Sequence, residues 1–298
     1  MKKITVLSGK GGVGKSMLSS SLAVLLSEDM KIIAVDCDVD APDLAVTLGM
    51  DEDDYDSWED ITTNKKAVLN EEKCKGCGKC RNVCNFGAIG WNEKKGQPIF
   101  RSLFCEGCGT CTLVCPENAI ELRDVKNARI GKGVTEYGFP VLTGELKMGE
   151  SGSGKVIFVL KQLASRMAEE NAADIILTDA AAGIGCPVIS SVRGSDYVIA
   201  VTEPTPSALS DLKRALEVVA HFGIPCGLVI NRHDINPAFT KKIEKFAMEN
   251  GITLLGRIPY DRKFVDALVS RKPAVVYERS LEKPFREILG NLEKETGK

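Results

Sequence analysis

Apolar residues in this chain fall in short unbroken runs rather than alternating with polar ones. Ile4-Thr5-Val6-Leu7, Ile32-Ile33-Ala34-Val35, Ile175-Ile176-Leu177, Tyr197-Val198-Ile199-Ala200-Val201 and Gly227-Leu228-Val229-Ile230 each read as a strand covered on both faces. Between them the spacing turns helical. Leu18, Leu22, Leu25 and Leu26 mark residues 15–27; Leu209, Leu212, Leu216 and Val219 mark 207–221; a mixed pattern follows Pro237 over 237–249. Such alternation predicts an α/β fold with a doubly wound, mostly parallel sheet.

The middle of the chain departs from that pattern. Residues 51–60, DEDDYDSWED, are dominated by acidic side chains and read as a solvated linker or helix cap. Two segments beginning at Cys74 and Cys105 then repeat each other, CKGCGKCRNVCNFGAI against CEGCGTCTLVCPENAI. That is a duplicated small unit. A glycine-rich stretch from Gly144 to Gly154 follows. The organisation predicted is an α/β domain of residues 1–62 and 127–298, interrupted by a small inserted domain at 63–126.

Of 298 residues, 44% are hydrophobic and 27% charged, and the net charge is −2. This balance suits a soluble globular chain and excludes a broadly basic nucleic-acid coat or a polybasic membrane protein. No apolar run approaches the roughly 20 residues of a membrane helix. Met1-Lys2-Lys3-Ile4 leads straight into a strand without a signal-peptide core, so a cytoplasmic location is expected. Cysteine changes the picture: eight of eleven lie between Cys74 and Cys115, and clustered thiols in a reducing compartment read as metal ligands.

Gly9-Lys10-Gly11-Gly12-Val13-Gly14-Lys15-Ser16 matches G-x-x-x-x-G-K-[ST] between a strand and a helix. Glycines let backbone N–H groups turn toward phosphate oxygens, and the helix N-terminus adds partial positive charge. Lys15 is placed to meet the β- and γ-phosphates, and the Ser16 hydroxyl to meet Mg²⁺. Gly11, Gly12, Val13, Gly14, Lys15, Ser16 and Met17 are therefore the expected ATP-binding segment. Residues 149–155, GESGSGK, fit the same spacing. There Val156 replaces the hydroxyl and no clear strand precedes, so this stretch reads as a mobile loop.

The early lysine makes the loop resemble the deviant Walker A segment of the MinD/ParA/nitrogenase-iron-protein class of P-loop ATPases. The resemblance implies that Lys10 reaches across a dimer to the partner's nucleotide. It further implies that Asp36 faces Mg²⁺, that Asp38 orients the attacking water, and that Asp179 is the second Mg²⁺ carboxylate. Asp40 reads as a capping or surface acid. The usual D-x-P-x-G appears here as Asp179-Ala-Ala-Ala-Gly183, without its proline. Thr202-Glu203-Pro204, with Ser207 and Asp211, resembles a further family segment, and Asn231 resembles the adenine-reading asparagine.

Cys74-x2-Cys77-x2-Cys80-x3-Cys84 and Cys105-x2-Cys108-x2-Cys111-x3-Cys115-Pro116 carry the spacing of two-cluster bacterial ferredoxins. Thiolates select iron–sulfur or zinc, and runs of four suit zinc less well than paired Cys-x2-Cys units. In the ferredoxin arrangement Cys74, Cys77, Cys80 and Cys115 hold one [4Fe–4S] cluster, and Cys105, Cys108, Cys111 and Cys84 the other. The first run has Asn85 where proline is usual. Cys37 and Cys226 read as buried inert thiols. Cys186 resembles a cluster-ligating cysteine of nitrogenase iron protein, without an evident second ligand. The terminal segment from 282, with Phe285, Ile288, Leu289 and Leu292, reads as a core-packing helix.

Together these features resemble MinD-superfamily ATPases carrying an inserted two-cluster ferredoxin domain. The resemblance implies an ATP-dependent homodimer, or pairing with a close paralogue, and a redox or metallocofactor partner protein. Nucleic acid and stable membrane insertion are not expected. Expected function is ATP-coupled electron transfer to a metalloprotein or metallocofactor assembly. The alternatives are a positioning or partner-binding ATPase with a redox-sensing module, and an iron–sulfur cluster carrier.

Overall fold

A computed structural model describes residues 1–297. The elements run β1 (Lys2–Ser8), α1 (Lys15–Ser27), β2 (Ile32–Cys37), α2 (Leu44–Thr47), β3 (Tyr55–Leu69), α3 (Lys79–Asn82), β4 (Ile89–Asn92), β5 (Gln97–Phe100) and α4 (Thr110–Leu113). They continue with β6 (Ile120–Val134), β7 (Pro140–Leu146), α5 (Ser153–Glu170), β8 (Ile175–Ala182), α6 (Cys186–Val192), β9 (Tyr197–Thr202), α7 (Pro206–His221) and β10 (Cys226–Asn231). The last are α8 (Pro237–Glu249), β11 (Thr253–Ile258), α9 (Arg262–Val269), α10 (Ala274–Tyr277) and α11 (Glu282–Thr296).

The chain divides into two compact units. The first comprises Met1–Trp58, Ile130–Glu145 and Ser153–Lys298. The large sheet has the order β11-β10-β9-β1-β8-β2-β7-β6-β3, and of its last two strands only Ile130–Val134 of β6 and Tyr55–Trp58 of β3 belong to this unit. β1 is parallel to both β8 and β9, and β2 to β8 and β7. This is the large, mostly parallel α/β sheet that the unbroken apolar runs imply. Successive β1 side chains go to opposite faces: Val6 packs with Leu22 and Phe285, Leu7 with Val188 and Leu212. Chain order reverses across β1, and such a crevice beyond strand C-termini is where α/β sheets bind ligands.

Local chemistry sets the helices. Thr205 caps α7 by accepting the Ala208 N–H at 3.3 Å, with Pro206 at the first position; Asn236 does the same for α8. In α11, Phe285, Ile288 and Leu292 are buried on one stripe. Among the described residues no helix is long and apolar enough to cross a membrane.

The second unit comprises Glu59–Arg129 and Leu146–Gly152. Helices α3 and α4 each begin at a left-handed glycine, Gly78 and Gly109. Antiparallel β4 and β5 pair Ile89 with Phe100. Ala67, Ile89 and Ile120 form a small core with Cys80 and Cys111.

Two expectations are corrected. Only the start of the acidic stretch is a turn, in which Asp51 and Asp54 form a capping box around Glu52–Asp54. Residues from Tyr55 onward are strand, because Tyr55 has real partners: its hydroxyl meets Thr143 Oγ1 at 2.7 Å and its ring packs at a tilt against Trp58, centroids 4.5 Å apart. The second G-x-x-x-x-G-K stretch, for its part, does follow a strand, β7, and does open a helix, α5. Residues Leu146–Gly152 group with the cysteine-rich unit and are tied down there. Lys66 Nζ lies 2.9 Å from Glu150 Oε2 and donates to the Ser102 carbonyl at 2.7 Å. Fully buried Asn127 donates to the Ser151 carbonyl at 3.1 Å and accepts from Lys147 N–H at 2.9 Å. β7 escapes a search for apolar runs because Thr143, Gly144 and Glu145 break it up.

Candidate nucleotide cleft and cysteine hollows

At the C-terminal ends of β1, β8 and β2 a cleft of about 420 Å³ opens. Gly11, Gly12, Gly14, Lys15, Ser16, Met17, Asp38 and Asn231 line it; Lys10, Val13, Asp36 and Asp179 do not. Asp36 and Asp179 stand opposite each other in the β2–β8 register, both fully buried. Three donors converge on Asp179: Lys15 Nζ at 2.7 Å and Ser16 Oγ at 2.8 Å on Oδ2, and Ser19 Oγ at 2.6 Å on Oδ1. Asp36 accepts backbone N–H groups of Asp38 and Leu44 at 3.0 and 2.8 Å.

The charges are strongly interdependent. Burial opposes the charge on Lys15, but Asp179 first and Asp36 next outweigh it, so its pKa stands above the ordinary lysine value. Asp36 is raised by burial and then by Asp179, against the pull of Lys15 and its two backbone donors. One lysine cannot compensate two buried carboxylates, so either a proton on Asp36 or a further cation is electrostatically favoured there. Asp38 is raised by burial, with Lys15 acting in the opposite direction.

Asn231 fastens the loop: its Nδ2 donates to the Val13 carbonyl at 2.8 Å. A Cβ on left-handed Gly14 would come within 2.3 Å of that same Nδ2. Lys10 lies 3.5 Å from Glu203 Oε1, on its own chain. Asp40 is exposed.

In the second unit, two hollows each gather four cysteines. Cys74, Cys77, Cys80 and Cys115 line one; Cys84, Cys105, Cys108 and Cys111 line the other. Each takes three thiols from one repeat and the last thiol from the other. Backbone N–H groups point at two of the sulfurs, Ala67 to Cys105 Sγ at 3.4 Å and Ala119 to Cys115 Sγ at 3.3 Å. Burial, then Cys105 and Cys108, push the Cys111 thiol up to about 11; the Thr110 hydroxyl pulls exposed Cys108 down. Among the described residues no three His, Cys, Asp or Glu side chains are grouped to hold a single metal ion. Cys186 is exposed at the start of α6, Cys37 is fully buried, and Cys226 is partly exposed at the start of β10.

Residues 4–274 match the sequence profile of the CobQ/CobB/MinD/ParA nucleotide binding domain. The chain belongs to this family. It is 42% identical over 234 residues to an uncharacterized protein of Methanocaldococcus jannaschii, covering 78% of this chain and 79% of that one. It is 24% identical over 304 residues to the iron-sulfur cluster carrier protein of Pyrococcus horikoshii, covering 97% and 85%. The septum site-determining protein MinD of that organism, solved with Mg-ADP, superimposes with a TM-score of 0.59 at 19% identity, covering 99% and 97%.

As a member of the CobQ/CobB/MinD/ParA family, the chain carries a nucleotide binding domain, and the residues that line the cleft lie in the first unit. Motif reading missed several residues there. Ser19 sits one helical turn beyond Lys15, and the signal was a run of serines on a helix that is otherwise apolar. Arg232 and Tyr260 line the cleft and leave no signature. Ser8 lines it as well, and its buried hydroxyl has no partner among the described residues.

Proposed function

We propose that the chain is a cytoplasmic, Mg-ATP-dependent, dimerising ATPase whose nucleotide cycle governs two [4Fe–4S] clusters, for electron transfer to a metalloprotein or for metallocofactor assembly. One observation carries the reading: a phosphate-type cleft and two four-thiol hollows occur in one polypeptide, and each hollow draws on both repeats.

In the cleft, Lys15 and the glycine N–H groups would hold the phosphates; Ser16 on the lining, with Asp179 and Asp36 buried behind it, would hold Mg²⁺. The surplus of buried carboxylate over lysine fits a divalent cation. Bound Mg²⁺ draws negative charge off phosphate oxygens. Asp38, held above the ordinary carboxylate pKa chiefly by burial, would orient and partly deprotonate the attacking water. Lys10 of a second copy would neutralise charge on the transferring phosphoryl group. Asn231 keeps one amide hydrogen free of its bond to Val13, enough to read a base edge.

The hollows suit clusters by donor chemistry: soft thiols, N–H groups aimed at sulfur, and a thin apolar lining. A four-iron cluster takes one thiolate on each iron, so its ligands ring a hollow. Bound [4Fe–4S] clusters exchange single electrons. Buried Cys80 and Cys111 support retention of clusters; exposed Cys77 and Cys108, one in each hollow, support a carrier role as the second reading. That second reading also matches the printed name of the Pyrococcus relative.

Anaerobic purification with EPR of the reduced protein, with and without ATP, tests the proposal. Two interacting signals that respond to ATP support gated electron transfer. Passage of labile cluster to an apo-acceptor supports the carrier reading. Absence of iron and acid-labile sulfide overturns both, and ATP-dependent partner binding without reducible clusters would then favour a positioning ATPase.

A further inference from the structure

Glu203 follows the last residue of β9 and is 8% exposed. Its two oxygens serve two cations from different segments. Oε1 lies 3.5 Å from Lys10 Nζ in the loop after β1; Oε2 accepts from Arg232 Nη1 at 2.8 Å just beyond β10. Lys10 Nζ also donates to Ser207 Oγ at 3.5 Å, in the first turn of α7. Pro204 and the Thr205 cap fix the backbone on the far side of Glu203. Arg232 is held as well: its N–H donates to Asn231 Oδ1 at 2.9 Å.

The two ion pairs are unequal. Arg232 is close, at 2.8 Å, while Lys10 stands off at 3.5 Å; the two side chains are similarly exposed, 37% and 42%, so distance is what separates them. A nearly buried carboxylate stripped of all partners carries a large desolvation penalty. Glu203 avoids this when Lys10 departs, because Arg232 stays. Lys10 is thus the releasable partner and Arg232 the permanent one. We propose that Glu203 is a positioning residue that holds Lys10 on its own chain and so sets how readily Lys10 reaches the nucleotide of a second copy. This inference rests on the reading of Lys10 as acting across a dimer.

The contact itself is tested by the acetylation rate of Lys10 in the free chain, followed by mass spectrometry. Glu203→Gln should raise that rate several-fold and Glu203→Asp should restore it in part; equal rates in all three proteins would overturn the proposal. Its consequence is tested by ATP-dependent self-association in sedimentation velocity. Glu203→Gln should lower the midpoint concentration about tenfold, and the shift should vanish in a Lys10→Ala background. A shift of the same size without Lys10 would overturn it. Unchanged ADP affinity in Glu203→Gln shows that the cleft has survived the substitution. Undiminished turnover in Lys10→Ala would overturn the dimer reading instead, while the acetylation rates still decide the contact.

Discussion

The cleft and the cysteine hollows are built on opposite plans. In the cleft, a contiguous glycine loop meets carboxylates from distant strands, with Lys15 and Asp179 separated by 164 positions. In the cysteine-rich unit, three thiols of each hollow come from one short repeat turned by left-handed glycines, and the fourth comes from the other repeat. Gly76 and Gly107 occupy equivalent positions at φ of 67° and 64°, and a Cβ on either would collide with a carbonyl, of Gly96 at 2.2 Å or Lys65 at 2.0 Å. Charge pairing governs one region and steric fit of the backbone the other. Single substitutions should therefore fail differently in each.

The largest effect is expected at Lys15. Lys15→Ala leaves two buried carboxylates without their cation and removes a phosphate contact, so phosphate release should fall by at least about 100-fold. A residual rate near the wild type would remove this loop from the chemistry. Next come the cysteines that cross between repeats. Cys115→Ser should halve bound iron and leave the same EPR signal as Cys74→Ser; Cys111→Ser should match Cys84→Ser. If Cys115→Ser matched Cys111→Ser instead, each run would hold its own cluster and the crossed arrangement would be wrong.

Gly107→Ala sharpens the steric half of the comparison. Left-handed backbone and a 2.0 Å approach should destabilise the cysteine-rich unit by about 1–3 kcal/mol, read as an earlier thermal transition and easier loss of iron. Nucleotide affinity measured by calorimetry should not move. The smallest effect is a pH dependence in the α/β unit. Burial pushes the Cys37 thiol up to about 12, from an ordinary value near 9. The folded chain thus keeps a proton that the unfolded chain sheds, so this contribution is complete below pH 9 and fades as pH rises toward 12. Cys37→Ala should flatten that part of the stability curve in thermal melts; an unaltered slope would assign it elsewhere.

The two plans also explain what could be read in advance. Strands β1, β2, β8, β9 and β10 were legible because strands covered on both faces leave unbroken apolar runs. β3 was not, since its start lies inside an acidic stretch where Tyr55 and Trp58 alone supply apolar contact. β7 was missed because polar Thr143 and Glu145 and the glycine between them conceal a strand that the sheet nevertheless buries in part. The second G-x-x-x-x-G-K stretch has the strand and helix its motif requires, and still differs from the first. Val156 offers no hydroxyl, and Glu150 meets Lys66.

Residue identity and spacing alone determined the phosphate loop, the eight repeat cysteines and the α/β class, since each depends on contacts within a few residues or on one simple period. Tertiary structure decided which carboxylate Lys15 meets and which cation Glu203 keeps close. Those outcomes depend on distances between segments far apart in the chain, and only the packing of strands and helices brings such segments within reach of a charge or a hydrogen bond.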